Sequence, residues 1–413
     1  MKGWMLKGGL SILDQALSSG GNFLLSVLLA RWFNIGEYGL YAFAAAFLSL
    51  FYQVQNALIM EPMSVIGPSK YSDSVYAYLS QQRRIHAWVF IPLGLVIAVG
   101  AVVYGAVGGD AGLRNILILL GMIAVLIQLP WLMRRSFYVI NQPGQAVLYS
   151  LFYTVVLLCL LFLFHAKGWL STPVSLLLMG IAGLIAALGI SSKLKVPASS
   201  KDLLNTKTVW DQNWNYGKWM LLTGGFMAIG GQAPIYLTGL LMDTDASGVV
   251  KAMQNFMQPM GMSVSAIAAL TIPNLSRDYA RRDMQSLQQK KKLITYSLLL
   301  ISGVYALLLI FFSTPLEYLL YKGRYAEYTQ LIPLWGLIPV FMAITVGFAV
   351  EIRAYQKPQG ILFTAIVWAV VTLLSGFFFI KWWGLFGATY SAILGYIASY
   401  FAYYFIARRI RQA

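Results

Sequence analysis

Along the chain, apolar residues gather into runs of roughly 20, the length a helix needs to cross about 30 Å of hydrocarbon. Twelve such runs can be drawn, at 8–30, 38–66, 86–108, 115–139, 145–166, 170–191, 217–241, 246–275, 293–313, 328–350, 359–380 and 384–406. The pattern predicts an all-α polytopic membrane protein with about 12 transmembrane helices joined by short connections. Composition agrees, since 59% of the residues are apolar or aromatic and 11% are charged, against roughly a quarter charged in a soluble domain. A soluble globular enzyme is excluded. The first run follows Lys2 and Lys7 as a leader would, but it is too long for a leader's apolar core. It also ends at Arg31-Trp32 without a small-residue cleavage site, so it reads as a retained first span.

Charge then orients the spans. A net charge of +16 would suggest nucleic acid in a soluble protein, but in a membrane protein it reports sidedness. An even number of spans puts both termini on one face, and that face collects 23 of the 30 lysines and arginines, among them Lys70, Arg83, Arg84, Arg134, Arg135, Arg408 and Arg409. The other face holds the remaining 7: Arg31, Arg114, Lys167, Lys251, Lys322, Arg324 and Lys381. Basic connections stay cytoplasmic, so both termini are expected there, with anionic membrane lipids as secondary partners and no nucleic acid.

The longest connection, residues 193–216, is polar and reads as a cytoplasmic linker between an N-terminal six-helix lobe (1–192) and a C-terminal one (217–413). The halves resemble each other. Trp4-Met5-Leu6 before Gly8-Gly9 recurs as Trp219-Met220-Leu221 before Gly224-Gly225, Gly39 matches Gly248, and Pro62 matches Pro273, at offsets of 215, 209 and 211. Three matches in order favour an internal duplication, and parallel repeats commonly hold their binding site between the halves.

Two spans carry polar stripes. Ser11, Asp14, Gln15, Ser18 and Asn22 share one face of the first span, and Lys251, Gln254, Asn255, Gln258 and Ser265 one face of the eighth. Such stripes either bond helix to helix or line a cavity. Lys251, about one turn inside the outward end of its span, calls for an anion. That anion is a substrate phosphate, or else Asp243 or Asp245 reached by snorkelling. Asp14 is a candidate proton-coupling residue or a structural partner of Lys7 or Lys218. Gln53, Asn56 and Glu61 give the second span a looser polar side; Glu61 is a second coupling candidate, or a paired end residue beside Pro62.

Other chemistry finds little support. Cys159 is the single cysteine, and His86 and His165 are the only histidines, so neither a disulfide framework nor an imidazole metal centre is expected, and no cofactor. Asp243-Thr244-Asp245 has the DxD form of some sugar transferases, yet fits a solvated turn between spans. No P-loop, GxGxxG unit, HExxH or GxSxG pattern occurs, so a non-enzyme without ATP chemistry is expected. Prolines such as Pro130, Pro234 and Pro339 permit bends in the spans. Most tryptophans and tyrosines fit interface belts.

The segments Leu28-Leu29-Ala30-Arg31 and Ile35-Gly36-Glu37-Tyr38-Gly39-Leu40-Tyr41-Ala42, together with Gly248 to Ala252 and Ile272-Pro273-Asn274-Leu275-Ser276-Arg277, carry a family resemblance. The chain resembles polysaccharide exporters of the multidrug/oligosaccharidyl-lipid/polysaccharide (MOP) superfamily, specifically Wzx-like flippases of lipid-linked oligosaccharides. The resemblance implies two pseudo-symmetric six-helix lobes around a central cavity lined by spans 1, 2, 7 and 8. It implies that an undecaprenyl-pyrophosphate-linked sugar unit of O-antigen, capsule or exopolysaccharide is turned to the periplasmic leaflet of a bacterial inner membrane by alternating access. In that setting Lys251 would meet the anionic head group, while Arg134, Arg135 and Lys218 would receive it at the cytoplasmic mouth. A polysaccharide polymerase, a chain-length regulator and a coupling proton or sodium ion are the partners expected of such a flippase. The alternatives are a cation-coupled multidrug exporter of the same superfamily, using Asp14 and Glu61, and a membrane-embedded sugar polymerase or transferase resting on the DxD turn.

Overall fold

In the computed structural model, residues 2–190, 204–264, 267, 283–355 and 358–412 are described, and among them there is helix but no strand. Helix α1 (Lys2–Trp32) leads into α2 (Ile35–Gln55), which passes through a π-helical turn (Asn56–Met60) into α3 (Glu61–Lys70). Then come α4 (Val75–Ala106), α5 (Ala111–Val139), α6 (Pro143–Ala166), α7 (Thr172–Ile190), α8 (Thr206–Leu241) and α9 (Thr244–Asn255). Residues 258–264 are helical again. The described chain resumes with α10 (Met284–Tyr321), α11 (Leu331–Ala354) and α12 (Pro358–Gln412).

Ten helices among the described residues are long and apolar enough to cross a membrane. The difference from twelve has two sources. Helix α12 contains the two expected spans 359–380 and 384–406, separated where Gly384 takes φ 53, a left-handed conformation that glycine adopts without a Cβ clash. The expected span 246–275 is described only as far as residue 264, apart from residue 267. It is interrupted after Asn255, where Pro259 lacks the N–H that would bond back to the Asn255 carbonyl.

Several helices begin earlier than hydropathy suggests. Of the expected linker, residues 193–203 lie outside the described residues, while 206–216 form the first turns of α8. Its polar positions are satisfied by α4. Gln82 and Asn213 exchange amide hydrogen bonds of 3.2 and 2.8 Å, and Thr206 donates to Gln81 Oε1 at 2.6 Å. Paired amides of this kind let helix extend through polar sequence that a hydropathy reading assigns to a loop.

The chain divides into two compact units, one of Met1–Leu25 with Phe43–Gly225 and one of Ser26–Ala42 with Phe226–Ala413. The first packs around Phe51, Ile59, Tyr78, Phe90, Phe137 and Tyr149. Its α4 and α5 meet backbone to backbone at Gly94 and Gly121, where a Cβ on either would strike the other's carbonyl, as small residues permit between membrane helices.

The second unit contains a contact that exposes the internal duplication. A Cβ on Gly39 would strike the Thr244 carbonyl, and one on Gly248 would strike the Ile35 carbonyl. The two contacts exchange under the single offset of 209 that relates Gly39 to Gly248, as a self-complementary two-fold contact requires. The same offset carries the end of α1 at Trp32 onto the end of α8 at Leu241, and the start of α2 at Ile35 onto the start of α9 at Thr244. It also carries the cap in which Asn34 Oδ1 accepts from Glu37 N onto that in which Asp243 Oδ1 accepts from Ala246 N, both at 2.7 Å. Here the DxD turn is a helix cap.

Candidate functional site

The polar stripe of α1 ends in a closed cluster within the first unit. Asp14 is fully buried and accepts hydrogen bonds from Arg134 Nε at 2.7 Å, Tyr138 Oη at 2.6 Å and Ser150 Oγ at 2.5 Å. Arg134 also donates through Nη2 to Gln15 Oε1 at 2.8 Å, and Gln15 in turn donates to Ser19 at 2.9 Å. Among the described side chains the ionic partner of Asp14 is therefore an arginine on α5 and not Lys218, while the Lys7 side chain lies outside those described. A charge left alone among apolar helices is costly, and a guanidinium with two hydroxyls meets nearly all the carboxylate's lone pairs.

That pairing alters the expected cytoplasmic mouth. Arg134 is committed to Asp14 and Gln15, and Arg135 lies 3.8 Å from Glu61 with both side chains about a third exposed. Each arginine thus carries a carboxylate partner instead of standing free for a head group. Gln15 and Asn22 are exposed, Ser18 and Lys218 partly buried. Gln53 lies where a Cβ on Gly224 would press its Oε1, and Asn56 opens the π turn. Just before that turn, buried Gln55 donates to the Gln128 carbonyl at 2.9 Å and reaches His86 Nδ1 at 3.3 Å, while His86 Nε2 contacts the Val125 carbonyl at 3.0 Å. This cluster was not marked in the sequence, because its three members lie on three different spans.

The stripe of the eighth span divides in the second unit. Asn255 is fully buried. Its Oδ1 accepts from Ser26 Oγ at 3.0 Å and Gln258 Nε2 at 2.9 Å, and its Nδ2 donates to Tyr38 Oη at 3.0 Å and Tyr321 Oη at 3.2 Å. Every hydrogen-bonding position of the amide is used. Asn255, expected to bind cargo, is engaged in this structure by protein partners at each of these positions. It ties the 26–42 hairpin to α9 and α10, assisted by Arg324 donating to the Phe33 carbonyl.

Lys251, Gln254 and Gln258 instead line a cavity of about 250 Å³ with Gln232 on α8, Trp335 on α11, and Trp368 and Tyr396 on α12. The Trp368 and Tyr396 rings are 5.2 Å apart and tilted by 46°. Among the described residues Lys251 has no ion pair or hydrogen-bonded side-chain partner, and no carboxylate lines the cavity. Asp243, one of its expected anions, is engaged in capping α9. Two polar atoms of residues in this lining, Gln232 Oε1 and the indole Nε1 of Trp335, are buried without a hydrogen-bond partner among the described residues. Ser265, the last member of the expected stripe, lies outside the described residues.

The residues missed by sequence reading are those that other helices contribute. A usable signal did exist: Trp335 and Trp368 stand inside apolar runs instead of at their ends, where belt tryptophans belong. Among the described residues no group of His, Cys, Asp and Glu could hold a metal ion.

No protein-family model matches the chain, and neither does any curated protein sequence. Solved structures do match. One is an inward-facing multidrug resistance MATE family transporter of the MOP superfamily, with a TM-score of 0.75 and 11% identity, covering 98% of this chain and 94% of that one. A mutant of the MATE transporter VcmN from Vibrio cholerae matches with a TM-score of 0.70 and 13% identity over 99% and 96% of the two chains. An outward-facing multidrug resistance MATE transporter matches with a TM-score of 0.66 and 12% identity over 98% and 94%. At these identities the likeness establishes the fold, that of the two-lobed polytopic transporters of this superfamily.

Proposed function

We propose that this chain is a transporter that moves an amphiphile with an anionic, hydroxylated head group, a lipid-linked oligosaccharide, between the leaflets of a bacterial inner membrane by alternating access. The observation that carries the reading is the Lys251 ammonium, unpaired among the described residues, on the wall of an amide- and tryptophan-lined cavity to which no described carboxylate contributes. Lys251 is partly buried, and a cation in a membrane helix without a counter-ion is unfavourable, a cost that an arriving anion reduces. The polyprenyl tail would stay in lipid while the head group crosses inside the protein.

A second reading, a cation-coupled multidrug exporter, is favoured by the solved structures, two of which are described as multidrug resistance transporters. Those comparisons lean toward drugs more than toward saccharides. The local chemistry leans the other way. Asp14 is engaged by Arg134 and two hydroxyls, and Glu351 by Lys291 at 2.6 Å and Gln288 at 2.9 Å. The cavity itself would repel a cationic drug.

The deciding experiment measures the leaflet distribution of lipid-linked oligosaccharide in cells with and without the protein, alongside energised efflux of a cationic dye. Cytoplasmic-leaflet accumulation that wild type relieves and Lys251→Ala does not is the expected result. Dye efflux with an unchanged lipid distribution would overturn it in favour of drug export.

A further inference from the structure

Helix α2 widens into its π turn for a reason that lies in the sequence. Pro62 has no N–H to return to the Leu58 carbonyl, and in a regular helix its ring would press on that carbonyl. The turn takes in one more residue, and Glu61 N–H bonds back to the Asn56 carbonyl. Single π turns inside α-helices are frequent at functional positions. This one is wedged against α8, where a Cβ on Gly217 would strike the Ala57 carbonyl.

Directly before the turn, Gln55 decides how α2 is held. The Gln128 carbonyl can only accept, so the Gln55 atom that meets it at 2.9 Å is the amide nitrogen. The Val125 carbonyl likewise requires a proton on His86 Nε2, 3.0 Å away. Nδ1, 3.3 Å from the same Gln55 nitrogen, is then the acceptor, and these partners assign the neutral Nε2–H tautomer. Gln55 Oε1 is left buried, with no hydrogen-bond partner among the described residues. A second proton on the ring reverses the demand at Nδ1, which becomes a donor facing a donor. Turning the Gln55 amide over presents Oε1 to the new Nδ1–H and withdraws Nε2 from the Gln128 carbonyl. The cluster therefore has two arrangements, and only the neutral one keeps the Gln55 tie between α2 and α5.

We propose that His86 is a proton-binding site that switches the π turn of α2: the neutral ring holds the turn through Gln55, and protonation releases it. His86 sits at the charged end of its span, two positions after exposed Arg84. The side chains it touches are uncharged, Gln55 from α2 and the Phe90 ring 4.9 Å away on its own helix. The charged groups on the surrounding elements are Arg83 and Arg84 on α4, Glu61 on α3, Arg134 and Arg135 on α5, and Asp211 and Lys218 on α8. Both α5 arginines already hold carboxylates. Of the side chains named, only the imidazole ordinarily changes charge between about pH 5 and pH 8. The inference goes beyond the transporter reading and does not depend on which cargo is carried.

The test uses the full-length protein in lipid nanodiscs and exploits its two histidines. With His165→Asn, a change at an exposed position near the end of α6, ring-nitrogen NMR of labelled histidine reports on His86 alone. At about pH 8 the proton should sit on Nε2 with Nδ1 bare, and both nitrogens should carry protons as the pH falls toward about 5. Over the same interval the backbone amide protection of residues 56–61, corrected for the intrinsic pH dependence of exchange, should fall at least tenfold. His86→Phe keeps a ring against Phe90 and removes the titration, so that protection should no longer change with pH. Gln55→Leu cuts the link: His86 should still titrate while the protection of the turn stays constant. The measurement on His165→Asn decides without either further variant. A proton on Nδ1 at about pH 8, a ring that stays neutral down to about pH 5, or a titration that leaves residues 56–61 equally protected would each overturn the switch.

Discussion

Helices α1 and α9 look alike in sequence, each carrying one charged residue among amides and hydroxyls on a single face, yet they build opposite environments. Around Asp14 the first unit supplies Arg134, Tyr138 and Ser150, and the charge is enclosed. Around Lys251 the second unit supplies Gln232, Trp335, Trp368 and Tyr396, and the charge is left facing a cavity. A polar stripe on a membrane helix therefore reports that something must meet it, and the neighbouring helices decide whether that is protein or cargo. Residue by residue the lesson repeats within α9. Asn255 is saturated by protein partners, while Gln254, one position earlier, lines the cavity.

The contrast can be broken by mutation, most severely at the enclosed charge. Arg134→Ala leaves the Asp14 carboxylate buried without its cation, and should cost about 3–5 kcal/mol of stability, read as a large fall in the detergent-solubilised melting temperature. Replacing both Asp14 and Arg134 by leucine should recover most of that loss. A double variant as unstable as Arg134→Ala would show that the pair does more than neutralise itself. Next in size, Asn255→Ala removes the amide that joins Ser26, Tyr38 and Tyr321, whose hydroxyls keep only the Ser26–Tyr38 bond at 2.8 Å and the Tyr321 bond to the Ala252 carbonyl at 2.8 Å, and should cost about 1–3 kcal/mol, with faster proteolysis at the 26–42 hairpin as a second readout.

Asp243→Ala removes the cap on α9 and should cost about 1 kcal/mol without altering transport, since its carboxylate is committed to Ala246 N. Loss of transport in that variant would restore a chemical role to the DxD turn. The smallest effect on stability belongs to Lys251→Ala. Removing an unpaired ammonium deletes no protein contact recorded among the described residues, so the melting temperature should stay the same or rise while cargo movement is lost. A fall like that of Arg134→Ala would mean that Lys251 is enclosed after all, and would erase the distinction between the two regions.

Much of this arrangement was legible beforehand. The spans were readable because a helix crossing lipid must satisfy its backbone internally and show an apolar side chain at nearly every position. The duplication was visible in weak matches, of which Gly39 and Gly248 were the informative pair. Their offset proves to carry helix ends, caps and a reciprocal backbone contact. Lys251 stood out because an ammonium inside an apolar run is rare. The extension of α8 toward Thr206 was not readable, since Gln82 and Asn213 satisfy each other across 131 positions of sequence.

What the sequence by itself determined is the class of molecule: helices of membrane-spanning length, repeated once, with charge sorted between their ends. These properties follow from each segment's own contact with lipid or water. Only the tertiary structure decided which polar groups are spent and which are free. Asp14 and Lys251 are equally conspicuous along the chain, but their partners come from helices far away in sequence. Hydrogen bonds and ion pairs act over a few ångströms, so the difference between an enclosed charge and one that faces a cavity exists only once those helices have packed.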